Sequence, residues 1–145
     1  MESPLITVIT VSYNAASSIE QTIISVINQT YPHIEYIIID GGSTDNTVDI
    51  IKKYADKISY WVSEPDKGIY DAMNKGIKIA AGKYTLFMNV NDTFYASSSI
   101  AEVCNLMEKY DSQHDAYYGN VAVSNEYGLY ICLLYTSPSP RDRTR

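Results

Sequence analysis

Short runs of β-branched residues alternate with helical patterns along most of this chain, and this alternation limits the possible folds more than any other feature. Strands are predicted over residues 5–13, 34–40, 59–63, 84–88 and 117–123. Apolar residues at helical spacing lie between successive strands. Strands that alternate with helices pair in parallel through right-handed crossovers. We therefore predict a doubly wound, mostly parallel α/β sheet flanked by helices, in one domain over residues 1–131.

Several local signals place the predicted helices. The spacing of Ser17 and Glu20 is that of a capping box, and a second one is formed by Ser99 and Glu102. The helix between them is predicted from a stripe of apolar residues, Ile69, Met73, Ile77 and Ala80. Gly82 is predicted to end this helix in the C′ position.

The last residues of the chain have a different composition. Residues 132–145 contain two prolines and three arginines without an apolar period, which is not the pattern of a strand or a helix. One interpretation is a solvated tail. The interpretation we favour is a foreign ending, because residues 133–145 resemble a translated sequencing-adapter segment. Either interpretation predicts a non-native or disordered tail that contributes nothing to the fold.

Charge and composition exclude several kinds of partner. With 46% hydrophobic and 19% charged residues the chain has the balance of a globular protein. A net charge of −6 argues against nucleic acid, which requires a basic surface. An anionic ligand would instead be bound by a metal ion and helix N-termini.

The sequence also bears on location. There is no basic N-terminal region and no apolar run of about 18 residues. We therefore expect a cytoplasmic protein without an integral membrane span, with the inner face of the membrane as a further site at which it could work.

Polar residues stand where the predicted strands end. The fourth strand runs into Phe87-Met88-Asn89-Val90-Asn91-Asp92-Thr93-Phe94, in which two amides and one carboxylate close the cluster. The second strand ends at Asp40. Ligands of open α/β sheets bind at the edge formed by the carboxyl ends of the strands. The cluster therefore indicates a ligand or divalent-cation site, although Asn and Asp also populate ordinary turns.

Three motifs in order carry a resemblance to a known family: Val11-Ser12-Tyr13-Asn14, then Ile39-Asp40-Gly41-Gly42-Ser43-Thr44-Asp45, then Asp66-Lys67-Gly68-Ile69-Tyr70-Asp71-Ala72-Met73-Asn74-Lys75-Gly76. Over about residues 5–125 the chain resembles the family 2 glycosyltransferases, in particular small bacterial members that build surface polysaccharides. The resemblance implies a GT-A fold. It also implies inverting transfer of a sugar from a nucleoside diphosphate to a hydroxyl of a glycan or lipid-linked acceptor.

The resemblance implies nucleotide-sugar-binding roles for Ser12, Tyr13, Asp40, Asp71 and Asn91. Tyr13 would stack on the base, and Asp40 would accept a hydrogen bond from its imide N–H, which favours a UDP or dTDP sugar. Each role has an alternative. Tyr13 could fill the edge of the core, and Asp40 could cap a helix. Asp71 could act as a favourable charge at a helix N-terminus.

The metal ligand implied by the resemblance is Asp92, with Mn²⁺ or Mg²⁺ as the cofactor. Small family members carry an Asn-Ser-Asp-Asp cluster where this chain has Asn89-Val90-Asn91-Asp92. Asn91 can offer an amide oxygen but no charge, so weaker metal affinity is expected unless Asp92 is the main ligand. The alternative is an Asx turn that caps the helix at Ser99.

No catalytic residue is assigned. In the family the general base is a carboxylate downstream of the strand that here reads Tyr118-Gly119-Asn120, and we expect it beyond the end of this chain. Two other functions stay open. A non-catalytic nucleotide-sugar-binding module is supported by Asn91. A nucleotidyltransferase is less favoured, because the loop after the first strand lacks a glycine-rich basic sequence.

Overall fold

The structure is a computed structural model that describes residues 3–109, 121–125 and 128–132 of the 145-residue chain. The chain forms two compact units, Met1–Asp111 and Ser112–Arg145. The described part of the first unit is a four-stranded sheet with helices, and that of the second is a two-stranded hairpin. No helix in the described ranges has the length and apolarity needed to cross a membrane.

The sheet of the first unit is entirely parallel. Its strands, in chain order, are β1 Ile6–Ser12, β2 Ile34–Asp40, β3 Tyr60–Ser63 and β4 Tyr84–Phe87. They lie in the order β3-β2-β1-β4. The register places Asp40 opposite Ser12 on one side and opposite Ser63 on the other. The last residues of β1, β2 and β3, which are Ser12, Asp40 and Ser63, therefore form one polar row at the carboxyl edge of the sheet.

Both faces of the two central strands are covered, which explains why β1 and β2 do not alternate between buried and exposed residues. Every residue of β1 is buried. Val8 and Ile38 belong to the hydrophobic cluster on one face, and Ile9 and Ile37 to the cluster on the other. Helices α1 Ile19–Ile27, α2 Thr47–Lys53 and α4 Ser99–Lys109 contribute to the first cluster, and α3 Ile69–Ile79 contributes to the second. The predicted doubly wound α/β fold is confirmed.

Helix α3 packs most closely through small residues, which corrects half of the predicted apolar stripe, whereas Met73 and Ala80 pack against the second cluster as predicted. Ile69 and Ile77 are each 50% exposed, whereas Ala72 and Gly76 are buried. A Cβ atom on Gly76 would lie 2.7 Å from Cγ2 of Ile9, so the helix lies too close to the sheet for a larger side chain. Ile69 and Ile77 therefore lie outside the closest helix–sheet contact, which is made where the backbone of α3 approaches Ile9.

The predicted capping box at α1 is wrong. The N-cap residue is Ser18, not Ser17, and it makes no side-chain cap hydrogen bond. The carboxylate of Glu20 instead accepts hydrogen bonds from the hydroxyl of Tyr54 at 2.6 Å and the ammonium of Lys53 at 3.1 Å. Tertiary partners on and just after α2 therefore outcompete the local bond to the backbone.

The second predicted capping box is also wrong. Ser99 is the first residue of α4, and its hydroxyl accepts a hydrogen bond from the backbone N–H of Ala96 at 3.0 Å. The backbone N–H of Glu102 donates to the carbonyl of Ser98 at 2.9 Å. The Ser99 hydroxyl thus fixes the turn that enters the helix.

Gly82 does not occupy the predicted C′ position. Helix α3 ends at Ile79, and its C-cap residue is Ala80. A Cβ atom on Gly82 would lie 2.6 Å from the backbone nitrogen of Thr7, and the Gly82 N–H donates to the Thr7 hydroxyl at 2.9 Å. The glycine is needed because the chain passes directly against β1 before β4 begins.

The second unit contains an antiparallel hairpin of β5 Val121–Asn125 and β6 Gly128–Cys132, with Asn125 opposite Gly128. The predicted strand over residues 117–123 overlaps β5, while residues 117–120 lie outside the described residues. Strand β6 was not predicted, and Cys132, assigned to the tail, is its last residue. Residues 133–145 lie outside the described ranges, so the domain boundary stays a prediction.

The order of the strands creates a switch point beside β1. The chain adds β2 and β3 on one side of β1 and then returns through α3 to place β4 on the other side. Helices α1 and α4, which follow β1 and β4, contribute to the hydrophobic cluster on one face, whereas α3, which leads into β4, contributes to the cluster on the other face. A crevice at the carboxyl ends of these strands is the usual ligand site of such sheets.

Candidate functional site

A cleft of about 640 Å³ lies at this carboxyl edge. Its walls are the end of β1, the loops after β2 and β3, the start of α3 and one residue after β4. The residues that line it are Val11, Ser12, Tyr13, Gly41, Gly42, Pro65, Asp66, Gly68, Ile69, Ala72 and Val90. All three motifs of the sequence and the cluster after β4 therefore contribute to one cleft, as the polar strand ends predicted.

Asp40 lies behind this cleft at the centre of a set of hydrogen-bond donors. Its Oδ1 accepts from the hydroxyls of Ser12 at 2.7 Å and Ser43 at 2.6 Å. Its Oδ2 accepts from the Ser63 hydroxyl at 2.7 Å and from the backbone N–H groups of Ser43 at 2.8 Å and Gly42 at 3.1 Å. The carboxylate thus joins the ends of three parallel strands and the loop after β2.

The surroundings of Asp40 also fix its charge. Burial by itself would raise the pKa of this carboxyl, but the hydrogen bonds from Ser43, Ser63 and Ser12 outweigh burial and hold the pKa below its ordinary value. The side chain is 0% exposed. A nucleotide base could reach it only if one of the serine donors moved. The predicted contact between Asp40 and the base therefore requires a rearrangement, and it stays a prediction.

The loop after β1 is tied to the loop after β2 through Asn14, a residue that was not singled out from the sequence. Its side-chain oxygen accepts the backbone N–H of Thr44 at 2.8 Å, and its own backbone N–H donates to the hydroxyl of Ser43 at 2.8 Å. Asn14 has a φ of 47°, a conformation that asparagine tolerates better than most residues. Its position in the Val-Ser-Tyr-Asn motif was the available signal.

A second set of contacts holds the same two loops together. The backbone N–H of Ala15 donates to the hydroxyl of Thr47 at 2.8 Å, and that of Ala16 donates to the carboxylate of Asp45 at 3.2 Å. A hydrogen bond from the Thr47 hydroxyl is the largest cause that lowers the pKa of Asp45. The polar residues after Gly42 thus build the wall of the cleft, which explains why the motif is rich in Ser, Thr and Asp.

Tyr13 lines the cleft and is 64% exposed. The alternative that it fills the edge of the core is therefore wrong, since a core side chain would be covered on most sides. The neighbouring Ser12 is buried and holds Asp40, so its backbone lies at the cleft while its hydroxyl points away from solvent. An exposed ring at the mouth of a cleft is free to stack, and the stacking role of Tyr13 stays a prediction.

Asp71 lies in the first turn of α3, where its carboxylate accepts the backbone N–H of Lys67 at 3.0 Å. The ammonium of Lys75 lies 4.0 Å from the same carboxylate. Asp71 is not among the described residues that line the cleft. These contacts correspond to the alternative of a favourable charge at a helix N-terminus. Its predicted nucleotide-sugar role stays a prediction.

Asn91 and Asp92 follow β4 on an exposed turn, in which the N–H of Asp92 bonds to the carbonyl of Asn89 at 3.1 Å. Asn91 has a φ of 75°, and its side-chain oxygen accepts a hydrogen bond from Gln21 at 3.1 Å. The backbone carbonyl of Asp92 accepts the hydroxyl of Thr22 at 2.8 Å. The turn is therefore anchored to α1 and adjoins Val90 in the cleft, while the carboxylate of Asp92 receives no hydrogen bond from the described residues.

The turn after β4 offers a metal ion two amide side chains, those of Asn89 and Asn91, and one carboxylate, that of Asp92. Among the described residues, no three His, Cys, Asp or Glu side chains come close enough to hold a metal ion. A cage built by protein alone is thus absent from this part of the chain. One free carboxylate beside a ligand cleft does fit a hard cation that takes its other ligands from a phosphate and water, which is how Mg²⁺ is commonly bound.

The sequence was also compared with known proteins. The profile described as "Glycosyl transferase family 2" matches residues 7–139. The "PGL/p-HBAD biosynthesis glycosyltransferase" of Mycobacterium bovis (strain BCG / Pasteur 1173P2) is 32% identical over 124 residues, which cover 83% of this chain and 48% of that protein. TuaG of Bacillus subtilis (strain 168), a glycosyltransferase named for teichuronic acid biosynthesis, is 38% identical over 109 residues, 73% of this chain and 43% of TuaG. The chain spans about half the length of the curated relatives it matches.

Two solved structures have the same fold. TarS 1–349 of S. aureus in complex with UDP aligns with a TM-score of 0.68 and 25% identity over 74% of this chain and 33% of that chain. The mannosyltransferase PcManGT of Pyrobaculum calidifontis, in complex with GDP-Man and Mn²⁺, aligns with a TM-score of 0.67 and 25% identity over 73% of this chain and 33% of that chain. The sheet, the motif order and these matches agree, and the chain belongs to glycosyl transferase family 2 with a GT-A fold.

Proposed function

We propose that this chain forms the donor-binding part of an inverting glycosyltransferase, which transfers a sugar from a nucleoside diphosphate to a hydroxyl acceptor. The observation that carries the proposal is the cleft at the switch point, which is lined by the exposed Tyr13 and by Gly41 and Gly42 of the loop after β2. The hydrogen bonds of Asn14 and Asp40 fix both loops before any ligand arrives. Prearranged walls lower the entropy lost on binding.

The base and the diphosphate would occupy different parts of the cleft. Tyr13 would stack on the base, a contact that contributes about 1–3 kcal/mol in other proteins. The diphosphate would extend toward Val90, which lies two residues before the exposed Asp92. A divalent ion held by Asp92, as Mn²⁺ or Mg²⁺, would neutralise charge that develops on the leaving diphosphate. The Mn²⁺ in the PcManGT complex supports this cofactor.

Transfer also requires an acceptor site and a general base. The acceptor oxygen would attack the anomeric carbon from the face opposite the diphosphate, and the base would take its proton. None of the described residues is assigned to this role. The names of the mycobacterial relative and of TuaG support an acceptor that belongs to a surface polysaccharide, glycan or glycolipid. Such synthesis fits a cytoplasmic protein that works at the inner face of the membrane.

The donor proposed here is a UDP or dTDP sugar. UDP bound to TarS supports a uracil nucleotide, whereas GDP-Man bound to PcManGT shows that a neighbour takes a guanine nucleotide. Calorimetric titration of the 145-residue chain with UDP, dTDP, GDP and ADP in the presence of Mn²⁺ tests the choice. We expect UDP and dTDP to bind more tightly than ADP and GDP. Equal affinity for all four would exclude a pocket that recognises the base.

A second candidate is a non-catalytic nucleotide-sugar-binding module. It is favoured by one observation, namely that Asn91 supplies no charge and that its amide oxygen already accepts from Gln21. A turnover assay on a version extended to the native C-terminus separates the two functions. Release of UDP that depends on an acceptor would support the enzyme, and binding without turnover would support the module.

A further inference from the structure

Asp40 is poorly placed to contact the nucleotide base, because it is 0% exposed and both of its oxygens already accept hydrogen bonds. A different residue must therefore recognise the base. A second carboxylate lies beside Gly41, the residue that follows Asp40, and it lines the cleft. Asp66, in the loop between β3 and α3, lines the cleft together with Tyr13 and Gly41. Among the residues that line this cleft, the acidic one is Asp66.

Gly41 makes room for this carboxylate. A Cβ atom built on Gly41 would lie 2.8 Å from Oδ2 and 3.2 Å from Cγ of Asp66. The carboxylate of Asp66 therefore occupies the volume that a side chain at position 41 would take. Because residue 41 directly follows Asp40 at the end of β2, Asp66 places a negative charge at the end of this strand without using a residue of the strand.

One oxygen of the Asp66 carboxylate has a hydrogen-bond partner in the described residues, and the other does not. Its Oδ1 accepts the backbone N–H of Gly68 at 2.9 Å, which fixes the side chain across its own loop. Its Oδ2 receives no hydrogen bond from the residues that the structure describes. One oxygen thus holds the side chain in place, and the other is available to a ligand in the cleft.

We infer that Asp66, rather than Asp40, recognises the nucleotide base by accepting its ring N–H. The inference rests on the proposed function and assigns the base specificity of that site. A carboxylate only accepts hydrogen bonds, so it selects a base with a ring N–H at its pairing edge. Uracil and thymine carry this donor at N3, and guanine carries one at N1 of a larger purine, so the carboxylate discriminates against cytosine and adenine while ring size must discriminate against guanine. Cytosine is a pyrimidine of the same size, but its N3 is an acceptor whose lone pair would face the carboxylate.

The ratio of the affinities for UDP and CDP isolates this interaction, because the two nucleotides share ribose, diphosphate and ring size. We expect the 145-residue chain to favour UDP by about tenfold or more, the range of a hydrogen bond to a charged group. In Asp66→Asn the side chain keeps an oxygen for the Gly68 N–H and gains an amide that can donate to N3 of cytosine. The UDP-to-CDP ratio should fall about tenfold.

A matched control has the same change of charge away from the cleft. Asp56 is exposed in the short 3-10 helix Ala55–Lys57 before β3, at the opposite edge of the sheet. Asp56→Asn should leave the UDP-to-CDP ratio unchanged. A second variant, Gly41→Ala, keeps every charge but places a methyl group 2.8 Å from Oδ2 of Asp66. The carboxylate must then move, and the ratio should fall in this variant as well.

The outcomes separate the inference from the proposed function. If the chain binds UDP and favours it over CDP, while Asp66→Asn and Gly41→Ala keep the full ratio, the inference is wrong and the donor site remains. UDP binding without preference over CDP overturns the inference alone. A chain that binds neither UDP nor CDP contradicts both the inference and the proposed function.

Discussion

Asp40 at the end of β2 and Asp92 after β4 are the same residue type at the same edge of one sheet, yet their surroundings are opposite. Asp40 is 0% exposed and accepts hydrogen bonds from three serine hydroxyls and two backbone N–H groups. Asp92 is exposed, and its carboxylate receives no hydrogen bond from the described residues. A carboxylate near a strand end can therefore either build the cleft or remain available to a ligand, and the hydrogen-bond donors around it decide which.

The neighbouring strands account for the difference. Asp40 lies between β1 and β3, whose last residues, Ser12 and Ser63, are its register partners. Strand β4 pairs with β1 over residues 84–87 and stops before the polar cluster begins. Asp92 therefore has no strand end beside it. A central strand end tends to be satisfied by its neighbours, whereas the turn after β4 keeps its side chain for solvent or a ligand.

The largest expected effect is on stability. Asp40→Ala leaves three serine hydroxyls and two backbone N–H groups without their acceptor, and we expect it to lower the free energy of unfolding by about 3 kcal/mol or more. Asp92→Ala should change it by less than about 0.5 kcal/mol, as is usual for an exposed side chain. Urea unfolding of both variants measures the difference. Equal losses would show that the two carboxylates do not differ in structural role.

The next effect concerns metal-dependent binding. Asp92→Ala should abolish the Mn²⁺-dependent part of UDP binding, whereas Asn91→Asp should strengthen it by adding a charge at a position whose positive φ suits aspartate. Thermal shifts with Mn²⁺ and UDP report both changes, since a ligand at about 100 times its Kd adds roughly 2.7 kcal/mol of stability.

The same thermal-shift experiment can also contradict the metal site. If Asp92→Ala keeps the full thermal shift, or Asn91→Asp shows no gain, the cluster after β4 is a turn that caps the following helix. Thermal shifts with UDP in EDTA serve as the control, because they isolate binding that needs no metal.

A smaller effect concerns pH. The pKa of Asp40 is held below its ordinary value, so its hydrogen bonds contribute stability that is complete above about pH 4 and is lost as the pH falls through the folded-state pKa. A single such group changes the free energy of unfolding by at most about 1.4 kcal/mol per pH unit. The slope measured between pH 5 and pH 2 (roughly the range in which Asp titrates) should be shallower in Asp40→Asn than in the unmodified chain. An unchanged slope would assign the acid sensitivity to other carboxylates, such as Asp45.

The smallest effect is predicted for the end of the chain. Deletion of residues 133–145 should leave the melting temperature unchanged within error, since that segment has no apolar face to bury. A melting curve of the shortened chain, recorded beside that of the full chain, measures this. A clear loss of stability would mean that the segment contributes to the fold.

The sequence was sufficient for the fold and for the edge of the sheet at which the cleft lies. The apolar runs at residues 34–40 and 84–88 correspond to β2 Ile34–Asp40 and β4 Tyr84–Phe87. The β-branched pattern of β2 is clear because this central strand is buried along most of its length. The polar strand ends also predicted the correct edge, because parallel strands bring their carboxyl ends together.

Other features depended on contacts that no local pattern contains. The family resemblance implied that Asp40 contacts the base, and nothing in the sequence shows that Ser12 and Ser63 would be its register partners. The stripe at Ile69 and Ile77 failed because the distance between α3 and the sheet is set by Gly76. Asp66 was passed over because its position against Gly41 exists only once two loops, 25 residues apart in the sequence, have come together.

A crystal structure of the chain with UDP and Mn²⁺ tests the central claim most directly. We predict that the uracil ring lies in the cleft against the ring of Tyr13, with N3 directed at the carboxylate of Asp66. The diphosphate should point toward Asp92 with Mn²⁺ between them, and Asp40 should keep its serine donors. Uracil bound outside the cleft, or bound to Asp40 after displacement of Ser43 or Ser63, would contradict this account.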